Sequence, residues 1–166
     1  MTFINKINVK AIVLGHLETL KDAETGSRAN DVTLFYLMPL AASGTCAALG
    51  ITLTANAIDV LTNALAIMAG LLFNLLVVLQ GLSASPARPR NERVRAFTKE
   101  VYNNIAYAII ASLSALVPLV IAAGSESPQR SFVIASAVAI ALVVHFALTM
   151  FMVLKRMHAM LSSEFQ

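Results

Sequence analysis

Formal charge is almost absent from three long stretches of this chain, and that feature decides its solvent. Between Asp31 and Arg88 the only charged residue is Asp59, and residues 101–125 and 131–154 contain no Asp, Glu, Lys or Arg. A bilayer core of about 30 Å is crossed by roughly 20 apolar residues in a helix, and each stretch exceeds that length. Only 13% of the 166 residues are charged, against about 25% in an ordinary soluble domain. Inside hydrocarbon the backbone must bond within its own segment, so the expected fold is all-α, a polytopic membrane protein built as a four-transmembrane-helix bundle.

The first stretch divides at a short uncharged turn near Thr54-Ala55-Asn56, giving spans at about 32–53 and 59–79 that are expected to form a tight hairpin. Further spans fall at about 101–123 and 132–154, so the transmembrane domain covers 32–154. Residues 1–31 precede it as a cytoplasmic segment. A helix is expected there from about Val9 to Lys21, with Val9, Ile12, Val13, Leu17 and Leu20 on one face; such a helix lies at the membrane surface or packs on the ends of the spans. The turn chemistry of Glu24-Thr25-Gly26-Ser27 ends it, and Asp31 is placed to cap the next helix. Pro86 and Pro89 keep the loop 82–100 from continuing as one helix. Residues 155–166 form a tail. The polar mixture before the first apolar run does not match a cleaved signal peptide.

Orientation follows from basic residues, which are retained on the cytoplasmic side. Lys6, Lys10, Lys21 and Arg28 lie in the N-terminal segment, Arg88, Arg90, Arg93, Arg95 and Lys99 in the central loop, and Lys155 and Arg156 after the last span; Arg130 alone lies on the other side. Eleven against one places both termini in the cytoplasm. The net charge of +3 is thereby explained by topology, and direct nucleic-acid binding is not expected. Arg88, Arg90, Arg93, Arg95, Lys99, Lys155 and Arg156 form a basic surface suited to a protein partner or to anionic lipid.

Polar and small residues inside a membrane mark the places where helices meet or water enters. At 100° per residue, Asn56, Asp59, Asn63, Gly70, Asn74 and Gly81 of the second span fall within an arc of about 80°. The stripe has two readings. Its amides can line a conduit for water or ions, or they can join helices across an oligomer. Asp59, near the non-cytoplasmic end, is also suited to capping the helix.

In the third span, Asn103, Tyr107, Ser114 and Pro118 share a side, with Asn103 and Asn104 expected as interfacial anchors. Pro118 and Pro39 each remove a backbone donor and are candidate kinks. Ala42, Cys46 and Gly50 place a small residue at every fourth position of the first span, which suits close packing. Mid-way through the fourth span stands His145, with Thr149 and Met152 continuing its face. An imidazole there can gate a conduit or relay protons, or can serve as a neutral donor to a neighbouring helix.

Catalytic chemistry is not evident. The sequence has no glycine-rich phosphate loop, no paired intramembrane carboxylates and no credible nucleophile–base order. Cys46 is the single cysteine, so no disulfide framework exists, and His16 and His158 are expected near the cytoplasmic surface, away from His145. No metal, cofactor or enzymatic activity is expected.

The layout resembles the small four-span membrane proteins of bacterial and prophage antiviral systems, of the RexB exclusion-protein and KwaA kind. The resemblance is carried by His16-Leu-Glu-Thr-Leu-Lys-Asp22 before Asp31, the basic loop from Arg88 to Lys99, Lys99-Glu-Val-Tyr-Asn-Asn-Ile-Ala-Tyr107 leading into the third span, and a histidine in the fourth span before Leu154-Lys-Arg156. It implies an oligomeric effector of the bacterial inner membrane that permeabilises or depolarises it under control of a cytoplasmic partner. A homo-oligomer, taken as a tetramer, fits a chain too small to enclose a pore alone. A non-conducting scaffold that docks a soluble effector, and more remotely a small transporter, remain open alternatives.

Overall fold

The computed structural model describes residues 9–20, 29–84, 92–125 and 129–164. Helix α1 spans Lys10–Thr19, and α2 (Ala29–Val32) runs through a π-helical turn, Thr33–Leu37, into α3 (Met38–Ala48). Three long helices follow: α4 (Ala55–Ala84), α5 (Glu92–Ala123) and α6 (Arg130–Glu164). Among the described residues no strand occurs. Lys6, Lys21, Arg28, the turn at Glu24–Ser27, Pro86, Arg88, Pro89 and Arg90 lie outside the described residues.

Segments Ala55–Gly81, Arg95–Ala123 and Arg130–His158 are long and apolar enough to cross a membrane. At 1.5 Å per residue they reach about 40 Å, beyond the hydrocarbon thickness. The helical run over residues 29–48 is shorter and interrupted by its π turn, and it is not among those three.

Many fully buried positions of α5 and α6 are small, among them Ala108, Ser112 and Ala115 on α5 and Ser136 and Ala139 on α6, beside the larger Val101, Ile105 and Leu119 of α5. Large apolar side chains such as Val117, Val120, Phe151 and Leu154 point outward. Without a hydrophobic force between helices in lipid, close backbone approach at small residues provides the cohesion. Helix α5 is central, packed on α4 along one flank and on α6 along the other. On α4 the contact is a seam of Ile58, Leu65, Leu72 and Leu79, buried, with Leu61, Met68 and Leu75 packed between them. That alternating spacing of three and four is the knobs-into-holes pattern of long paired helices.

The hairpin expected of spans 1 and 2 does not form. Helices α3 and α4 make no contact with each other; α3 packs on α6 instead, where the buried Ser43 Oγ donates to the Ala137 carbonyl at 2.6 Å. The local reason lies in the connection. Gly50, at φ +69°, ends α3, with the Ile51 N–H bonded to the Cys46 carbonyl and the Gly50 N–H to that of Ala47, the paired bonds of a Schellman stop. Residues 51–54 are without regular structure and reach at most about 14 Å at 3.5 Å each, enough to carry the chain past a neighbouring helix. The packing face of α3 is Pro39 and Ser43, both buried, while Ala42 and Cys46 are only partly covered and Gly50 is exposed. Helix α4 begins earlier than expected and is capped by Thr54, whose Oγ1 accepts the Ala57 N–H at 3.2 Å. Asp59 is therefore not its cap, and Asp31 lies in the first turn of α2 rather than before it.

Candidate functional site

The polar residues separate into two sites on opposite flanks of the protein. The first is a buried cluster joining α1, the π turn, α5 and α6. It begins with a proline. In an α-helix the N–H of residue 39 would bond the carbonyl of residue 35, but Pro39 has no N–H, and the ladder widens here so that the Met38 N–H bonds the Thr33 carbonyl five residues back. The Phe35 carbonyl is taken up by His145, whose Nδ1 lies 2.7 Å away. A carbonyl only accepts, so Nδ1 carries the hydrogen, and Nε2 receives the Tyr107 hydroxyl at 2.8 Å. Tyr107 stands edge-on to the imidazole and Tyr36 lies tilted beside it, with ring centroids 5.7 and 5.1 Å away. Thr149, fully buried, donates to the His145 carbonyl one turn back at 2.9 Å.

Helix α1 enters the same cluster. His16 is fully buried and stacks flat on Tyr107, centroids 3.7 Å apart and planes 4° from parallel. Its Nδ1 donates to Asn104 Oδ1 at 2.9 Å. The Thr19 hydroxyl has one hydrogen and lies 2.6 Å from the His16 carbonyl and 2.8 Å from Asn104 Oδ1, between which it is shared. Gly15 permits this approach: a Cβ there would lie 2.6 Å from Asn103 Nδ2. Arg156 closes the C-terminal end of α1 by donating to the Thr19 carbonyl while pairing with Glu100, a favourable place for a cation at a helix end. Burial pushes the His16 imidazole down to about 4; the Asn104 bond opposes this, and His145 and Arg156 add to it. His16 is neutral at pH 7. Its Nε2 and Asn104 Nδ2 have no hydrogen-bond partner.

The second site is the α4 stripe. Asn56, Asp59, Asn63, Gly70, Asn74 and Gly81 are all exposed, on the face turned away from α5. Asp59 also borders an open cleft of about 390 Å³ with Thr52, Thr54, Ser125 and Phe132. Ser114 is exposed on α5. His145 and Thr149 thus share the buried cluster and are not brought to the stripe. Of the basic residues, Arg95, Lys99 and Lys155 are exposed, and Arg156 is held by Glu100 and Thr19; nothing is described for the Arg93 side chain.

Sequence reasoning missed the union of His16, Thr19, Asn104 and Tyr107. His16 is expected away from His145, yet both rings meet Tyr107, with centroids 3.7 and 5.7 Å from it, and Asn104 is fully buried beneath α1. The available signal was Pro39: it removes the N–H that an α-helix would offer to the Phe35 carbonyl, and a buried carbonyl short of that donor calls for a side-chain one, which His145 supplies. Among the described residues no three His, Cys, Asp or Glu side chains come together as a metal site.

No family model matches this chain, and neither the curated proteins nor the solved structures contain a match. The structure itself defines the class: an all-helical protein with three helices suited to cross a membrane.

Proposed function

We propose that the chain is the subunit of an oligomeric effector in the bacterial inner membrane, and that the assembly permeabilises or depolarises that membrane through a conduit lined by α4. The observation that carries this reading is the exposure of the whole α4 stripe, Asn56 to Gly81, on a helix whose other face is satisfied by α5. Amides and a carboxylate facing lipid are unfavourable; facing water around a shared axis they are at home. In this reading residues 29–48 cross as a fourth span, consistent with outward-facing Leu34, Leu37, Met38 and Leu40, and both termini are cytoplasmic by the distribution of Lys and Arg. Placement among phage-defence effectors draws on the resemblance of layout. A cytoplasmic partner has Arg95, Lys99 and Lys155 available on the exposed surface, whereas Arg156 is engaged internally.

The buried cluster gives His145 a different role. Both its ring nitrogens are bonded within the protomer, so it holds the first span to the last rather than lining the conduit. The test is ion flux across liposomes containing the purified protein. Asn63→Leu and Asn74→Leu, at exposed positions, are expected to lower flux per assembled oligomer at least about tenfold, the oligomer being quantified in the same liposomes, because an amide ring becomes an apolar constriction that dewets. Wild-type flux in both variants removes α4 from the conduit. No flux in the wild-type protein, with or without a membrane potential, favours the docking scaffold.

A further inference from the structure

Helix α4 carries two seams, and only one is occupied. The inner one, from Ile58 to Leu79, packs on α5. On the opposite face Asn56, Val60, Asn63, Ile67, Gly70, Asn74, Val77 and Gly81 repeat the same alternation of four and three, and every one is exposed. At 100° per residue the centres of the two seams lie about 160° apart. A helix shaped for pairing on both faces has one helical partner among the described residues.

Two features identify the other. Gly70 and Gly81 weaken the helix relative to alanine, yet a Cβ at either would meet nothing within 4 Å; packing within the protomer does not require them. Glycines in a membrane helix let another backbone approach. Asparagine, with donor and acceptor on one amide, bonds to a copy of itself, and a polar residue on a seam fixes register. Copies of one protein insert in one orientation, so their common axis runs along the membrane normal and equal residues meet at equal depth.

We propose that α4 pairs in parallel and in register with α4 of further copies of this chain, Asn63 meeting Asn63 and Asn74 meeting Asn74, with Gly70 as the point of closest approach. This rests on the proposed function only for oligomerisation, not for conduction: the copies meet around one axis at Gly70, and a water path exists only where the amides of the ring are turned to that axis rather than packed on one another.

Single cysteines introduced in a Cys46→Ser background test it by oxidation in native membranes. Disulfides require Cα atoms within about 7 Å. Ile67→Cys, Gly70→Cys, Asn74→Cys and Val77→Cys are expected to yield cross-linked dimer, and Ala64→Cys and Phe73→Cys, about 90° to either side, at least tenfold less. Strongest linkage at 64 or 73, or none at any position, overturns the seam. Gly70→Leu separates assembly from folding, since that side chain enters open space in the protomer: helix content and unfolding midpoint are expected to stay, while the oligomer dissociates at protein-to-lipid ratios where the parent is assembled. An intact Gly70→Leu oligomer overturns the proposal. Cross-links on the seam in a protein without flux leave the pairing standing and remove conduction; flux with cross-links on another face does the reverse.

Discussion

Acidification is expected to loosen α1 from the bundle, by an amount set by His16. Released into water, the imidazole has the ordinary pKa of about 6.5; docked against Tyr107 and Asn104 it is pushed down to about 4 by burial, with His145 and Arg156 adding to the depression. A histidine whose pKa is depressed in the docked state gives its full contribution above pH 6.5, and that contribution falls as the pH drops toward 4. The two values translate into a docking constant lower by about tenfold at pH 5.5 and about 80-fold at pH 4.5, or about 1.4 and 2.6 kcal/mol. Amide hydrogen exchange reads the quantity directly, because the protection of α1 amides relative to their intrinsic rate at each pH reports the opening equilibrium. The amides of α5 and α6 serve as internal reference. His16→Phe retains an aromatic ring over Tyr107 without a titrating group, and its protection is expected to be flat over the same range. If α1 protection in the parent protein does not fall between pH 7.5 and 4.5, or falls equally in His16→Phe, the burial of a neutral His16 is not what holds α1.

Two further outcomes follow from the cluster. Asn104→Leu removes the acceptor shared by His16 and Thr19 and leaves buried donors unpaired, so α1 protection is expected to drop by about 1–3 kcal/mol while the exchange of α4 is unaffected; unchanged α1 protection removes Asn104 from the docking contact. Pro39 and His145 are expected to be coupled: His145→Ala destabilises the parent protein by about 2 kcal/mol or more through the orphaned Phe35 carbonyl, and by about 1 kcal/mol less in a Pro39→Ala background, where the residue-39 N–H can serve that carbonyl. Unfolding midpoints in detergent for the four proteins measure the cycle, and additivity within about 0.5 kcal/mol refutes the account of the proline.

The three long apolar helices were legible because hydrocarbon tolerates few charged side chains, and so composition marks their positions directly. Their ends were less so: α6 runs to Glu164, well past Leu154, since helix formers such as Lys155, Arg156 and Met157 continue a helix into water without an apolar signal. The α4 stripe was visible in periodicity, and so was its polarity, but periodicity does not say which face meets a partner from the same chain. Helix pairing was misjudged where adjacency in sequence stood in for complementarity; the Ser43 contact with the Ala137 carbonyl joins residues 94 apart. The buried cluster was illegible for the same reason. His16 and Asn104 are 88 residues apart, and each alone reads as an ordinary polar residue near the end of a span.

The bond from His145 to the Phe35 carbonyl links residues 110 apart and orders the events of biogenesis. A ribosome delivers Phe35 and Pro39 to the membrane long before His145 exists. In the proposed four-span arrangement, the segment 29–48 lacks until α6 arrives the His145 donor that the Phe35 carbonyl has in the finished protein, and the residue-39 N–H cannot replace it. Arrival of the last helix completes the first. If that arrangement holds, truncated nascent chains ending before residue 145 are expected to hold residues 29–48 less firmly in the bilayer than the full chain does.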